Sequence, residues 1–130
     1  MLWRARVLTL VTAIALSASA VGSAQERTSS EIIVQVSLTA GLRYHEAKAV
    51  WDQMKVGDPL TLVREPGNPH DTNAVRVEWN GHQLGYIPRA ENAAVARQMD
   101  RGSRLAARIT KLTLYRNHRR KLEFEVFLPL

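Results

Sequence analysis

The sequence predicts a mainly β protein, in which six short strands and one or two short α-helices form a small closed or partly open β-barrel. Two observations carry this prediction. Apolar and polar residues alternate along several short runs, which is the period of a β-strand. Asn80-Gly81 stands between two of these runs and is typical of a two-residue hairpin turn. A barrel is favoured over an open sheet because closure removes exposed strand edges.

The composition limits the classes of protein and of site. The chain has 130 residues, 45% of them hydrophobic and 23% charged, which is the balance of one globular domain. It contains no cysteine, so a disulfide scaffold, a cysteine-bound zinc ion and a thiol nucleophile are excluded. The net charge of +6 favours a polyanionic partner without naming one.

Residues 1–24 are predicted to be a signal peptide. A basic segment precedes an apolar run, and both Ala18-Ser19-Ala20 and Gly22-Ser23-Ala24 fit a cleavage rule for small residues. Cleavage after Ala24 is preferred because polar residues follow at once. An uncleaved membrane anchor is the alternative, but the apolar run is shorter than the ~20 residues of a bilayer span. We expect an exported protein, periplasmic or secreted, with no stable membrane insertion after cleavage, a flexible leader at residues 25–31 and one domain at residues 32–130.

The first half of this domain is predicted to hold two strands, a short helix and an irregular loop. Apolar and polar residues alternate from Ile32 to Leu38, which indicates the first strand. Residues 45–55 predict a short helix with an apolar face, and a second strand runs from Leu60 to Arg64. Residues 65–73 contain two prolines, a glycine and three Asn or Asp residues, which predicts a rigid, non-repetitive loop.

The clearest structural signal is the hairpin around Asn80-Gly81. A two-residue turn pairs Trp79 with His82, and uninterrupted alternation extends this register along both strands. The expected pairs further along the hairpin are Val77 with Leu84 and Val75 with Tyr86. All of these side chains then share one face, so the Tyr86 ring is expected in the core with at most its hydroxyl exposed.

The second half adds a helix and two strands. Pro88 suits the first turn of a helix over residues 89–101, and Gly102 is placed just beyond its C-terminus. Strands follow from Leu105 to Leu114 and from Leu122 to Leu128. Residues 115–121 connect these two strands in a strongly basic loop.

Positive charge is concentrated near the C-terminus. Residues 25–100 carry 8 Lys and Arg against 10 Asp and Glu, whereas residues 101–130 carry 8 against 2. Two interpretations stay open for this basic stretch. It is either a solvated edge that keeps the barrel soluble or an electrostatic track that guides a nucleic-acid backbone.

Three blocks of the sequence resemble the HIRAN domain family. The twelve residues Arg64-Glu65-Pro66-Gly67-Asn68-Pro69-His70-Asp71-Thr72-Asn73-Ala74-Val75 look like its signature. Gly41-Leu42-Arg43-Tyr44 and Gly85-Tyr86-Ile87-Pro88-Arg89 match its other two blocks in order and at suitable spacing. The resemblance covers roughly residues 32–128, and it implies a modified OB-like β-barrel that binds DNA.

The resemblance also implies which residues bind the nucleic acid. In a eukaryotic member the domain captures the free 3′ end of single-stranded DNA, and that ligand site maps here onto Arg43, Tyr44, His70, Asp71, Tyr86 and Arg89. Arg64, Arg116, Arg119 and Arg120 are further candidates. Arginine suits phosphate and an aromatic ring suits a base. A carboxylate is repulsive to phosphate, so Asp71 makes sense as the acceptor of a terminal 3′-hydroxyl.

Some of these residues have simpler local interpretations. Asp71 and Asn73 are also the residue types that bind backbone N–H groups in tight loops. Arg64 stands at a strand end and could pair with Glu65 or Glu78. His70 departs from the family pattern, which commonly has tyrosine there, and this predicts a weaker and more pH-sensitive site.

No pattern indicates catalysis or a cofactor. The four histidines share no metal-ligand spacing, no nucleophile elbow is present, and no P-loop accompanies the domain, so neither a metal nor ATP is expected. We therefore predict a non-catalytic module that binds single-stranded DNA at or near a free 3′-hydroxyl end. The alternative is an exported binding module whose cleft has been repurposed for a peptide, a glycan or an envelope partner.

Overall fold

The computed structural model describes residues 30–130, and the predicted signal peptide with most of the predicted leader lies outside them. The described strands are β1 (Glu31–Leu38), β2 (Pro59–Arg64), β3 (Val75–Trp79), β4 (His82–Tyr86), β5 (Ala106–Leu114) and β6 (Arg120–Pro129). The helices are α1 (Ala47–Val50) and α2 (Ala93–Asp100), with short 3₁₀ turns at Leu42–Tyr44, Trp51–Gln53 and Arg89–Glu91. None of the helices between residues 30 and 130 combines the length and the apolar composition of a membrane span.

All six described strands belong to one antiparallel sheet in the order β1-β6-β5-β2-β3-β4. The two edges of this sheet approach each other where Ala40, just after β1, pairs with Tyr86 at the end of β4. Their backbone hydrogen bonds measure 2.8 Å and 3.0 Å. The sheet therefore curls into an OB-like barrel that is not strictly closed, which confirms the predicted mainly β fold.

The barrel interior is filled by alternate residues of the strands together with one side of α2. Leu122, Phe124 and Val126 of β6 are at most 1% exposed, as expected of every second residue on a strand that faces a core. Val95 of α2 is fully buried, and Trp51 caps the same cluster at 8% exposure. The first and last residues that the structure describes lie together, because the Leu130 N–H donates to the Ser30 carbonyl at 3.0 Å.

The predicted hairpin turn is confirmed. Asn80 and Gly81 both adopt positive φ, 47° and 81°, as a type I′ turn requires. Trp79 pairs with His82 as expected, and their rings stack at 6.2 Å.

Further along the same hairpin the predicted register is wrong by one residue. A β-bulge between Val77 and Glu78 makes Leu84 an extra residue, so Val77 pairs with Gly85 and Arg76 pairs with Tyr86. The expected pairs were Val77 with Leu84 and Val75 with Tyr86. The shift moves the Tyr86 ring out of the core and leaves it half-buried beside Arg76.

A second bulge alters β1. The strand itself is confirmed, but its register shifts between Ile33 and Gln35, and the faces exchange beyond that point. Val36 is 53% exposed, whereas the neighbouring Ser37 is 3% exposed. The buried Ser37 hydroxyl donates to Glu91 at 2.8 Å, so the bulge attaches β1 to the 3₁₀ turn before α2.

The helices are shorter than predicted. The helix expected over residues 45–55 is α1 followed by a 3₁₀ turn, and the helix expected over residues 89–101 is a 3₁₀ turn followed by α2. The predicted end at Gly102 is confirmed, since its φ of 88° and the bonds from Gly102 N–H to Met99 and from Ser103 N–H to Gln98 form a Schellman motif.

Candidate functional site

The first depression lies between the segment after β1 and the connection between β5 and β6. It has a volume of about 650 Å³, and we call it the hairpin groove. Its lining residues are Thr39, Gly41, Leu42, Arg43, Tyr44, Lys48, Asn117, His118, Arg119 and Arg120. Four of the predicted binding residues therefore meet here: Arg43, Tyr44, Arg119 and Arg120.

A single tight turn presents Arg43 and Tyr44 to this groove. Gly41 adopts a φ of 73°, and its carbonyl accepts the Tyr44 N–H at 3.0 Å. Leu42 is buried and anchors the turn, whereas the two residues that follow it, Arg43 and Tyr44, are exposed. Tyr44 is 71% exposed, and the Arg43 guanidinium lies 4.6 Å from the centre of its ring and donates to its hydroxyl. The turn thus places a cation and an aromatic face side by side.

The β5–β6 connection supplies the opposite wall. The Tyr115 N–H bonds to the Arg119 carbonyl at 2.9 Å, and Asn117 Oδ1 accepts the Arg119 N–H at 3.1 Å, which fixes the path of the loop. His118 takes a positive φ of 64° within it. Arg120 lies 5.8 Å over the buried Trp51 ring and donates to the His118 carbonyl, whereas Arg119 is exposed.

The second depression, which we call the loop pocket, has a volume of about 350 Å³ and is more polar. It is lined by Pro69, His70, Asp71, Thr72, Asn73, Arg89, Asn92 and Ala93. Three predicted binding residues, His70, Asp71 and Arg89, come together here. The structure thus distributes the predicted site over two depressions.

Asp71 is held on both of its carboxylate oxygens. Oδ1 accepts the Asn73 N–H at 2.9 Å, and Oδ2 accepts Asn92 Nδ2 at 2.6 Å. The Asn73 bond lowers the pKa of Asp71, with further contributions from Asn92 and from the guanidinium charges of Arg89 and Arg64, despite partial desolvation. Asp71 is therefore ionised at neutral pH, and with one of these bonds on each oxygen it keeps further acceptor capacity at a position that lines the pocket. The local interpretation of Asp71 as a loop-stabilising side chain is also confirmed.

Three predicted residues line neither depression, and the first of them, Arg64, is engaged elsewhere. Arg64 pairs with Asp100 at 3.0 Å and donates to the Ala74 carbonyl, so the expected partners Glu65 and Glu78 are wrong. Those two glutamates bind Arg76 instead.

Tyr86 and Arg116 also lie outside the lining of both depressions. The Tyr86 hydroxyl donates to Glu65 at 2.9 Å. Arg116 is exposed at the tip of the β5–β6 hairpin.

Sequence reasoning missed several lining residues. Lys48, Asn117 and His118 line the hairpin groove, and the position of Asn117 and His118 inside the basic loop was the available signal. Asn92, at 1% exposure, lines the loop pocket. It stands at the N-terminus of α2, but its side chain bonds to Asp71 rather than capping the helix, which no local pattern reveals.

The described part of the chain contains no group of three or more His, Cys, Asp or Glu side chains that converge on a possible metal site. What the two depressions offer is binding chemistry: exposed guanidinium and ammonium groups, an exposed aromatic ring, and an ionised carboxylate in a polar pocket.

Solved structures share this fold. A protein from Lactobacillus plantarum is 31% identical with a TM-score of 0.64, and the match covers 76% of this chain and 97% of that one. The HIRAN domain of human HLTF is 23% identical with a TM-score of 0.53, covering 75% of this chain and 79% of that one. Both likenesses support the OB-like architecture.

Sequence relatives are much longer than this chain. Helicase-like transcription factor of Mus musculus is 44% identical over 61 residues, which are 46% of this chain and 6% of that protein. The Fanconi-associated nuclease 1 homolog of Oryza sativa subsp. japonica is 30% identical over 89 residues, 65% of this chain and 9% of that protein. The model of the HIRAN domain matches residues 23–130, nearly the whole chain. The chain therefore belongs to the HIRAN domain family.

Proposed function

We propose that this HIRAN domain is a non-catalytic module that binds single-stranded DNA at or near a free 3′-hydroxyl end. The observation that carries the proposal is the hairpin groove, where Arg43 and Tyr44 face Arg119 and Arg120 across one depression. Membership of the HIRAN family supports a nucleic-acid partner in general. The proposal is confined to this domain, because the matched segments are only 6% and 9% of the lengths of those relatives.

The groove chemistry suits a single strand. Guanidinium groups form charge-assisted hydrogen bonds with phosphate, and Lys48 adds an ammonium group on the same wall. An exposed aromatic ring such as that of Tyr44 gives a base a stacking surface worth about 1–3 kcal/mol. A duplex hides the faces of its bases, so a groove that combines phosphate contacts with stacking favours unpaired nucleotides.

The loop pocket suits the end of that strand. Asp71 is an ionised hydrogen-bond acceptor, and Arg89 lines the same pocket with a compensating positive charge. A 3′-hydroxyl donates a proton to such a carboxylate, whereas a 3′-phosphate brings a second negative charge against it. The pocket is therefore expected to select a hydroxyl end, with Arg89 available for the last phosphodiester.

The substitution Asp71→Asn tests this end selection. Wild type is expected to bind a labelled oligonucleotide with a 3′-hydroxyl about tenfold more tightly than the same oligonucleotide with a 3′-phosphate, from one charge-assisted hydrogen bond. In the variant the two affinities become equal, because the acceptor charge that distinguishes the ends is removed. Fluorescence anisotropy at fixed salt measures both affinities. The control is Asp52→Asn, an exposed aspartate that lines neither depression. A preference that persists in the Asp71 variant would contradict the assignment.

The substitution Arg119→Ala tests the groove as a phosphate contact. We expect affinity to fall about tenfold at ~50 mM salt, and the slope of log affinity against log salt to become shallower by about 0.7, the contribution of one phosphate contact on a single strand. Arg101→Ala is the matched control, since Arg101 is exposed and lines neither depression. Equal effects of the two substitutions would mean that Arg119 acts only as nonspecific surface charge, and they would contradict its assignment as a phosphate contact in the groove. If the wild type binds no oligonucleotide at ~50 mM salt, the proposed function itself is wrong.

A further inference from the structure

Tyr86 lines neither depression, but its contacts connect the segments that line the two of them. Its backbone N–H and carbonyl pair with Ala40, the residue directly before the turn that presents Arg43 and Tyr44. Its ring packs edge-on against His45, directly after that turn, with the ring centres 5.8 Å apart. The backbone and ring of Tyr86 therefore hold one wall of the hairpin groove.

The hydroxyl of Tyr86 reaches the other depression through a chain of hydrogen bonds. It donates to Glu65 Oε1 at 2.9 Å, and the same oxygen accepts Asn68 Nδ2 at 3.1 Å. Asn68 Oδ1 in turn accepts the His70 N–H at 2.9 Å. His70 and the adjacent Asp71 line the loop pocket. Three consecutive hydrogen bonds thus connect β4 to the residues of the pocket.

The ionisation states of Glu65 and Tyr86 favour the hydrogen bond between them. Its second oxygen accepts Arg76 Nη1 at 2.7 Å. Burial disfavours the ionised form, but the hydrogen bonds from Asn68 and Tyr86 and the Arg76 charge hold the pKa of Glu65 below its ordinary value. Burial and the bond to Glu65 raise the pKa of Tyr86. At neutral pH, Tyr86 is thus a protonated donor and Glu65 a charged acceptor.

We propose that Tyr86 is a positioning residue that fixes the loop pocket relative to the hairpin groove, and that its hydroxyl does not contact the nucleic acid. The inference rests on the proposed function, because it explains how one strand occupies both depressions. Nucleotides in the groove place the terminal hydroxyl beside Asp71 only when the separation of the two depressions is maintained. Tyr86 sets that separation, whereas Arg43 and Arg119 supply the affinity.

The test is Tyr86→Phe, which removes one oxygen atom and keeps the ring against His45. We expect binding of an oligonucleotide with a 3′-hydroxyl to weaken about fivefold, binding of one with a 3′-phosphate to stay unchanged, and the salt slope to stay unchanged. Amide hydrogen exchange at His70 and Asn73, measured without any ligand, is expected to accelerate because the loop loses its attachment. Tyr115→Phe, at an exposed tyrosine outside both depressions, is the matched control.

A second pair of variants approaches the same contact from the acceptor side. Glu65→Gln keeps a carbonyl oxygen that accepts the Tyr86 hydroxyl, and it is expected to preserve most of the end preference. Glu65→Ala removes the acceptor and is expected to reproduce Tyr86→Phe. A role limited to general stability would not separate these two variants by their end preference.

The outcomes separate the two proposals. If Tyr86→Phe weakens both oligonucleotides equally and makes the salt slope shallower, the hydroxyl contacts the backbone and the inference is wrong. Unchanged amide exchange at His70 and Asn73 also overturns it, whatever the binding result. If wild type binds neither oligonucleotide, the proposed function fails, while the exchange measurement still decides whether Tyr86 holds the loop.

Discussion

Replacing Gly85 with alanine is expected to lower the free energy of unfolding by about 3 kcal/mol. A Cβ at this position would stand 2.2 Å from the Ala40 carbonyl oxygen and 2.8 Å from the Thr39 methyl group, and the first of these atoms belongs to the backbone. The clash can be relieved only by separating β4 from the segment after β1. Because that contact is where the two edges of the sheet approach each other, we also expect the turn with Arg43 and Tyr44 to move and affinity for single-stranded DNA to fall.

Urea denaturation measures the stability change, and amide exchange at Ala40 locates it. Gly67→Ala is the control, because a Cβ there would meet no atom within 4 Å and its φ lies outside the positive region. That variant is expected to be neutral or slightly stabilising, since alanine restricts the unfolded chain. An unchanged denaturation midpoint for Gly85→Ala would show that the contact between β4 and the segment after β1 contributes little to the fold.

The substitution Asn92→Asp is expected to reverse the direction in which the loop pocket makes the free energy of unfolding depend on pH. In the wild type the pKa of Asp71 is lowered, so its contribution is present above the ordinary aspartate pKa and is lost as the pH falls below it. In the variant a second carboxylate replaces the amide that now donates to Asp71 at 2.6 Å. Two adjacent carboxylates retain one proton, and the pKa of that shared group is raised. The variant should therefore be close to wild type near pH 4 and lose stability as the pH rises.

At pH 7 to 8 the expected loss is about 3 kcal/mol, because the new carboxylate occupies a position that is 1% exposed. Urea denaturation at several pH values gives the slope of the free energy of unfolding against pH. Asn117→Asp introduces the same charge at an exposed asparagine that uses only its oxygen as an acceptor, so it is expected to leave the slope unchanged. Parallel pH profiles for wild type and Asn92→Asp would mean that the contact with Asp71 is not maintained in solution.

Local chemistry made some elements predictable from sequence. Asn80-Gly81 and Gly102 occupy positions that need positive φ, and few residue types adopt it, so the turn and the end of α2 follow from identity alone. The alternation along β6 likewise identifies Phe124 and its neighbours as core residues.

The bulges in β1 and in the β3–β4 hairpin were not predictable, because inserting one residue into a ladder leaves no mark in the composition. Their effect on the faces is nevertheless large. One bulge exposes Val36 and buries Ser37, and the other moves Tyr86 from the core to the side of Arg76. A register error of a single residue thus changed the role assigned to a candidate site residue.

The candidate site shows the same division between local and long-range information. The family blocks supplied the identities of Arg43, Tyr44 and Asp71, but motif spacing does not say that they fall into two depressions. The partner of Arg64 is Asp100, 36 residues further along the chain, and the partner of Asp71 is Asn92. Such contacts depend on how elements pack, which a single sequence does not encode in any short window.

The hydrogen bond between Ser30 and Leu130 has a consequence for how such a domain is joined to other chains. Because Ser30 and Leu130 are the first and last residues that the structure describes, the described unit can be inserted into a loop of a larger host protein without stretching that loop. The same geometry makes a circular permutant practicable: a short linker across Ser30 and Leu130, with new ends at the exposed Pro66-Gly67.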